Sequence, residues 1–368
     1  MESTAAPSQG NSSLAEARTI VADLFAPNPL AYWTDFLVSM GIGMVFFGLV
    51  RKTPLGSPQQ LVCFLISGLL YYRAVTFTHE LAHLRRESFR GFRVVWNLLC
   101  GIPFLLPSFM YHTHLDHHRA THYGTPRDGR YLPLRHRPRW WIVAYLAASL
   151  VIPALAVVRF LLLAPLGWIY PRLGDWLYRR ASSMVIHPGY VRPPATPELM
   201  RIARLQEAAC FGWCLGWAVL PPLLLHRWAV PFVVHAYLTA VFIILVNTLR
   251  TLGSHRWSNA EGEMTFRDQL LDSLNYPSRP WFTELWGPVG MRFHALHHFF
   301  PALPYHAMPE AHRRLMARLP ADSPYRATVR VALLSTIAEL WRQAGAPAAG
   351  QSGHAGLSLA IERDLSAP

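Results

Sequence analysis

The 368 residues are 52% hydrophobic and carry 34 basic against 21 acidic side chains, a formal charge of +13. That size admits two soluble domains or one compact membrane domain, and long apolar runs favour the membrane. No nucleic-acid motif accompanies the charge, which sets DNA and RNA binding aside.

In chain order, residues 1–30 are rich in Ser, Ala and Pro and read as a mobile tail ahead of one domain over 31–344. No leader pattern is read there, so the first spanning helix is expected to do the targeting. Tyr32–Val50 and Leu61–Phe77 each approach the roughly 20 residues that cross a hydrocarbon core as a helix. Val94–Met110 and Trp140–Ile169 are interrupted by Pro103, Pro107, Pro153, Arg159 and Pro165, and are read as re-entrant or interfacial. Ala208–Leu225 and Ala229–Asn247 complete four spanning helices. With both termini inside, only Arg51, Lys52 and Arg227 fall in the outer connections, which satisfies the positive-inside rule. Pro309–Leu319 and Thr328–Gln343 carry apolar residues at helical spacing, and 345–368 reads as a second mobile tail. The expectation is an all-α, integral-membrane, multi-pass bundle with a helical cap on the cytoplasmic side. The four cysteines lie in apolar runs without disulfide or zinc spacing and are read as packing residues.

Three histidine clusters punctuate this plan. His79-Glu-Leu-Ala-His83 continues an apolar helix, so its histidines share one face just beyond the bilayer. His114-Leu-Asp-His117-His118 and His294-Ala-Leu-His297-His298 share the spacing HxxHH, which turns three imidazoles toward a common point. An amphipathic residue at the water boundary accounts for one interfacial histidine. It does not account for HxxxH, HxxHH and HxxHH on the same side of the membrane. Eight imidazoles exceed the needs of one ion, and no cysteine stands near them to close a structural zinc site. Two redox-active ions beside an apolar scaffold point to oxygen chemistry on an apolar substrate, with iron the expected metal.

The order HELAH, HLDHH, HALHH resembles the three histidine boxes of the membrane fatty acid desaturase and hydroxylase superfamily, from about Tyr32 to Arg314. The stretches Asn247–Trp257 and Gly290–Pro301 are similar to its bacterial members. The resemblance implies a ninth ligand, His255, after the last spanning helix. It implies that one iron draws on all three boxes and the other on boxes two and three plus His255. An asparagine four residues before that histidine reaches the metal through water in such proteins; Thr251 occupies that spacing here, and Asn247 is a candidate supporting residue two turns away.

Each ligand must be neutral, with its other ring N–H held by an acceptor. Glu80, Asp116, Asp128, Glu261, Glu263, Asp268 and Asp272 are near in sequence, and Glu80 and Asp116, inside the boxes, are preferred. His112 and His122 are read equally as supporting or surface residues, and His187-Pro-Gly-Tyr190 as a turn.

The resemblance implies O2-dependent desaturation of a lipid-linked or carrier-linked acyl chain. The alternative is a hydroxylase or ketolase acting on a lipid, sphingolipid, alkane or carotenoid. No dinucleotide-binding or iron–sulfur motif is present, so electrons are expected from a separate protein of ferredoxin or cytochrome b5 type. The expected location is a bacterial inner membrane. A metal transporter would place ligands at mid-membrane rather than at helix ends, and a catalytically dead scaffold would not need intact boxes.

Overall fold

The structure is a computed structural model, and it describes residues 9–84, 88–226, 229–260 and 262–345. Among them it is built from helices: α1 (Gln9–Ile20), α2 (Pro29–Val50), α3 (Pro58–His83), α4 (Arg90–Trp96), α5 (His114–His117), α6 (Trp140–Ile169), α7 (Pro171–Arg180), α8 (Pro197–Leu225), α9 (Val230–Leu252), α10 (Phe266–Asp272), α11 (Pro280–Trp286), α12 (His294–Phe299), α13 (Met308–Arg318) and α14 (Leu333–Gln343). Only isolated β-bridges, such as His255 with Ser273 and Asn275 with Phe293, interrupt this pattern.

The long helices begin on local signals. Asn28, Ser57 and Thr196 accept from the free N–H groups at the starts of α2, α3 and α8, and each is followed by a proline at the first helical position, where no N–H is needed. Their Leu, Ile and Val side chains point largely outward, as at Leu37, Val45, Leu150, Leu155, Val233 and Leu238. Such a broad apolar exterior is covered by lipid rather than water. Inside, α3 and α9 meet closely at Gly68, where a Cβ would come within 2.6 Å of the Phe242 ring.

Among the described residues five helices, not four, are long and apolar enough to cross a membrane; the addition is α6. Its predicted interruptions are absorbed. The turn Val158–Leu163 widens, with Ala164 N–H donating to the Arg159 carbonyl, and Pro165 follows where the wider turn ends. Arg159 is buried but donates to Glu207 of α8, Ser182 Oγ and the Ala181 carbonyl. The start and finish of this region nevertheless lie at the same end of the bundle. Ile142 packs with Tyr131, Trp257 and Leu340 of the cap, while Met184 and Ile186 beyond α7 donate to the carbonyls of Met110 and Gly129 beside the second box. The path from Trp140 to Ile186 therefore goes out and returns, and the two full passages between the second and third boxes are α8 and α9. Val94–Met110 is broken as expected, by a widened turn at Asn97–Gly101 and a left-handed Leu105.

The N-terminal segment differs from the predicted tail. Ala17, Ile20 and Val21 are buried in the cap core with Leu296, Ala311 and Leu315, and Arg314 pairs with Asp23 at 2.6 Å. Residues 1–8 and 346–368 lie outside the described residues. The cap is tied to the bundle by an ion network in which Arg73 of α3 bridges Asp35 (2.6 Å) and Glu284 (3.1 Å), Glu284 also receives Arg292, and Tyr305 donates to Asp35.

Removing one partner of a buried ion pair strands the other charge, at a cost of about 3–5 kcal/mol. Glu207→Gln is therefore expected to lower the unfolding temperature in detergent sharply. Asp175→Asn, which touches only the exposed Arg179, is expected to cost less than about 1 kcal/mol.

Candidate metal centre

Each box is delivered by a different structural device. The first is the last turn of α3, so His79 and His83 project from the cap end of a helix anchored in the bundle. The second is the single turn of α5 and the residue after it. The third is α12, which follows a tight reversal where Val289 and Gly290 adopt positive φ; a Cβ at Gly290 would lie 2.6 Å from the Met308 sulfur. Asn275 then fixes the start of α12 by accepting from Leu296 N–H at 3.0 Å. His255 stands three residues after the end of α9.

These devices bring all nine predicted histidines together in two groups. His79, His83, His114, His118 and His297 form one, and His117, His255, His294 and His298 the other; within each, one nitrogen per residue lies within 4.8 Å of all the rest. In the first group Nε2 of His118 is 3.0 Å from Nε2 of both His114 and His297. In the second, Nε2 of His294 is 2.9 Å from that of His255 and 3.1 Å from that of His298. The groups adjoin, with the His118 and His298 rings stacked at 4.4 Å.

Burial pushes the pKa of His114, His118, His294, His297 and His298 well below the usual imidazole range, and repulsion between neighbouring imidazoles adds to the effect. His255 is also lowered, by burial against the opposing pull of Asp272. Both nitrogens of His79 and Nε2 of His83 are buried without a hydrogen-bond partner. Buried neutral nitrogens that converge and lack donors suit an electron-pair acceptor, which is what a metal ion is. The donor set fits two ions.

The carboxylates that steady these rings are Asp128 and Asp272. His117 Nδ1 lies 2.7 Å from Asp128 Oδ2, and His255 Nδ1 lies 3.3 Å from Asp272 Oδ2 and 2.9 Å from the Tyr123 hydroxyl, which donates to the same carboxylate. A proton on each Nδ1 leaves Nε2 free to bind. Burial raises both carboxylates, but His117 with the Gly124 and Arg130 N–H groups at Asp128, and His255 with Ser258 at Asp272, outweigh it, so both sit below the usual range.

The preferred candidates lie elsewhere. Glu80 accepts from the Tyr32 hydroxyl and Tyr305 N–H. Asp116 accepts from Tyr190 at 2.9 Å and pairs with Arg119. Asn247 accepts from Arg250 at 2.7 Å, so it holds an arginine rather than a ligand. Sequence adjacency favoured Glu80 and Asp116, yet both side chains face away from the box imidazoles. Glu261 is outside the described residues. His112 and His122 belong to neither group, and His187 closes the predicted turn by accepting from Gly189 N–H. Tyr123 and Arg250 were missed. An arginine inside an apolar run was the available signal for Arg250.

A small cavity opens beside both groups, lined by His114, His117, His255 and His294 together with Arg130, Arg250, Thr251, Ser254 and Met291. It has room for roughly one water.

Residues 56–329, which contain every one of these histidines, match the family described as Fatty acid desaturase. The chain belongs to the fatty acid desaturase family. A ceramide hydroxylase of Caulobacter vibrioides (strain NA1000 / CB15N) is 36% identical over 346 residues, 92% of this chain and 97% of that protein. No solved structure gives a significant match. As a fatty acid desaturase family member the chain is an oxygen-dependent oxidoreductase of lipid, embedded in the membrane by its apolar helices.

Outer-shell acceptors of this kind change metal affinity by about 10–100-fold. Asp128→Asn and Asp272→Asn should each lower the metal retained per chain on purification, measured by elemental analysis, while Asp116→Asn retains it. The depressed imidazoles also set a pH dependence. Stability they contribute is present above the ordinary value of about 6.5 and lost below it, because the unfolded chain binds protons that the folded one refuses. The unfolding temperature of metal-stripped protein should fall between pH 7.5 and 5.5, and fall less in a His118→Gln, His298→Gln double variant.

Proposed function

We propose that this chain hydroxylates a sphingolipid of the ceramide class, inserting one oxygen atom from O2 into an unactivated C–H bond at a di-iron centre. The observation that carries the reading is the similarity to a ceramide hydroxylase over 92% of the chain, a span that cannot miss any of the nine histidines. It supports oxygen insertion over desaturation, which uses the same ligands and differs in how the substrate is held.

His79, His83, His114, His118 and His297 would hold one iron, and His117, His255, His294 and His298 the other. The iron pair supplies an oxidant strong enough to abstract hydrogen from a methylene group. The chain's own residues do the rest. Asp128, Asp272 and Tyr123 fix ring orientation and keep the ligating nitrogens free of protons. Burial of both groups excludes bulk water, which limits loss of the oxidant to side reactions. One oxygen of O2 enters the lipid and the other leaves as water, with two electrons and two protons consumed. A separate protein of ferredoxin or cytochrome b5 type supplies the electrons. The arginine-rich cap suits an acidic donor, and the same charge bias supports the reading that the boxes face the cytoplasm from a bacterial inner membrane.

The test is expression with iron in a host that makes or is fed ceramides, followed by mass spectrometry of total lipids against a His297→Ala control. A gain of one oxygen in a ceramide, absent from the control, is the expected result. Loss of two hydrogens instead would return the chain to the desaturase reading.

A further inference from the structure

The cavity beside the two histidine groups contains two cations with no anion to match them. Arg250, on the last turn of α9, is 4% exposed. Its contacts are neutral: Asn247 Oδ1 at 2.7 Å, Ser254 Oγ at 3.5 Å and the neighbouring Tyr72 phenol, while its Nε is buried without any partner. Arg130 lines the same cavity, donating to the Met184 carbonyl at 2.8 Å and the Tyr111 hydroxyl at 3.3 Å, with its guanidinium 4.8 Å above the Tyr111 ring. Among the described residues neither arginine has a carboxylate within ion-pair distance.

A guanidinium stays protonated in proteins, and leaving one buried without an anion or a full set of acceptors is costly. Among the described residues the buried Arg159 meets Glu207 and Arg292 meets Glu284, whereas Arg192, which lies away from the histidine groups, donates to the Ser182 carbonyl and stacks over Tyr178. Arg250, with no carboxylate partner, instead lines a space with room for about one oxygen atom, walled by histidines of both groups. The space suits a single strongly accepting oxygen, with the atoms attached to it lying outside.

We infer that Arg250, assisted by Arg130, binds the amide carbonyl oxygen of the lipid's N-acyl chain and thereby selects the carbon that is oxidised. This rests on the hydroxylase reading and adds position to it. With the carbonyl oxygen seated among Arg250, Arg130, Thr251 and Ser254, the carbons next to the carbonyl lie beside the histidine groups, and the far end of the chain lies away from them. The product carries its new hydroxyl on the first or second carbon beyond the carbonyl: that C–H becomes C–OH with one atom of O2, the other atom leaves as water, and the protein donor supplies the two electrons. Arg250 is a specificity-determining residue whose effect is on where the substrate sits.

The experiment uses iron-loaded enzyme in proteoliposomes with a reconstituted electron donor and an N-acyl sphingoid of defined chain length. Tandem mass spectrometry locates the hydroxyl. In the native chain it is expected on the first or second carbon after the carbonyl. In Arg250→Gln product is expected to fall at least tenfold, with the remaining hydroxyl spread over several carbons and iron content unchanged; Arg250→Lys recovers part of the rate. A second readout needs no turnover. The N-acyl lipid should raise the unfolding temperature of the native chain more than an N-alkyl analogue lacking the carbonyl, and Arg250→Gln should erase that difference. A hydroxyl placed far along the chain or on the sphingoid base, unchanged position and yield in Arg250→Gln, equal thermal shifts from the two lipids, or loss of iron in the variant would each overturn the proposal. If the product is an alkene, the hydroxylase reading fails, while the paired thermal shifts still decide whether Arg250 binds the carbonyl.

Discussion

Nine imidazoles are gathered in two adjoining groups at one end of the helical bundle, and much of the architecture serves to bring them together. A histidine binds metal only when unprotonated, and burial is the cheapest way to keep it so. Burial, however, removes water as a hydrogen-bond partner, so each ring needs a metal on one nitrogen or a protein acceptor on the other. Asp128, Asp272 and Tyr123 meet that need where they reach, and the unpartnered nitrogens of His79 and His83 converge with His114, His118 and His297.

The same accounting explains why the cap is built as it is. The boxes arrive from three distant parts of the chain, so their relative positions depend on packing rather than on any local motif. The cap core joins α1, α10, α12 and α13 around Leu296 and Phe293, which fixes the third box. The ion network through Arg73, Asp35, Glu284 and Arg292 locks that cap to the helix carrying the first box. Charge pairing of this kind is missing at Arg250, which lines the cavity between the histidine groups.

The spanning helices and the histidine boxes were legible in the sequence because both depend on short-range order: about 20 apolar residues in a row, and imidazoles at i, i+3 and i+4. The imidazoles gather into a five-member group drawn from all three boxes and a four-member group drawn from boxes two and three with His255. Proximity along the chain misled where a contact is made at a distance. Glu80 and Asp116 sit inside the boxes but turn toward tyrosines, whereas Asp272 reaches His255 from 17 residues downstream, with Tyr123 bridging from more than 130 residues upstream. The continuity of α6 was likewise hidden, since the partner that neutralises Arg159 is Glu207 on another helix.

The sequence by itself determined the all-helical membrane class and the eight box imidazoles, because helical periodicity is a property of neighbouring residues, while His255 and the oxygen chemistry came from the family resemblance. Tertiary structure alone decided which carboxylates hold the histidine rings, that the segment around Ala17 packs into the cap, that the path through α6 returns to the side it left, and that two arginines line the cavity beside the histidine groups. Those are statements about which distant side chains share a small buried volume, and burial changes what a charge or a hydrogen-bond donor costs only once the chain has closed around it.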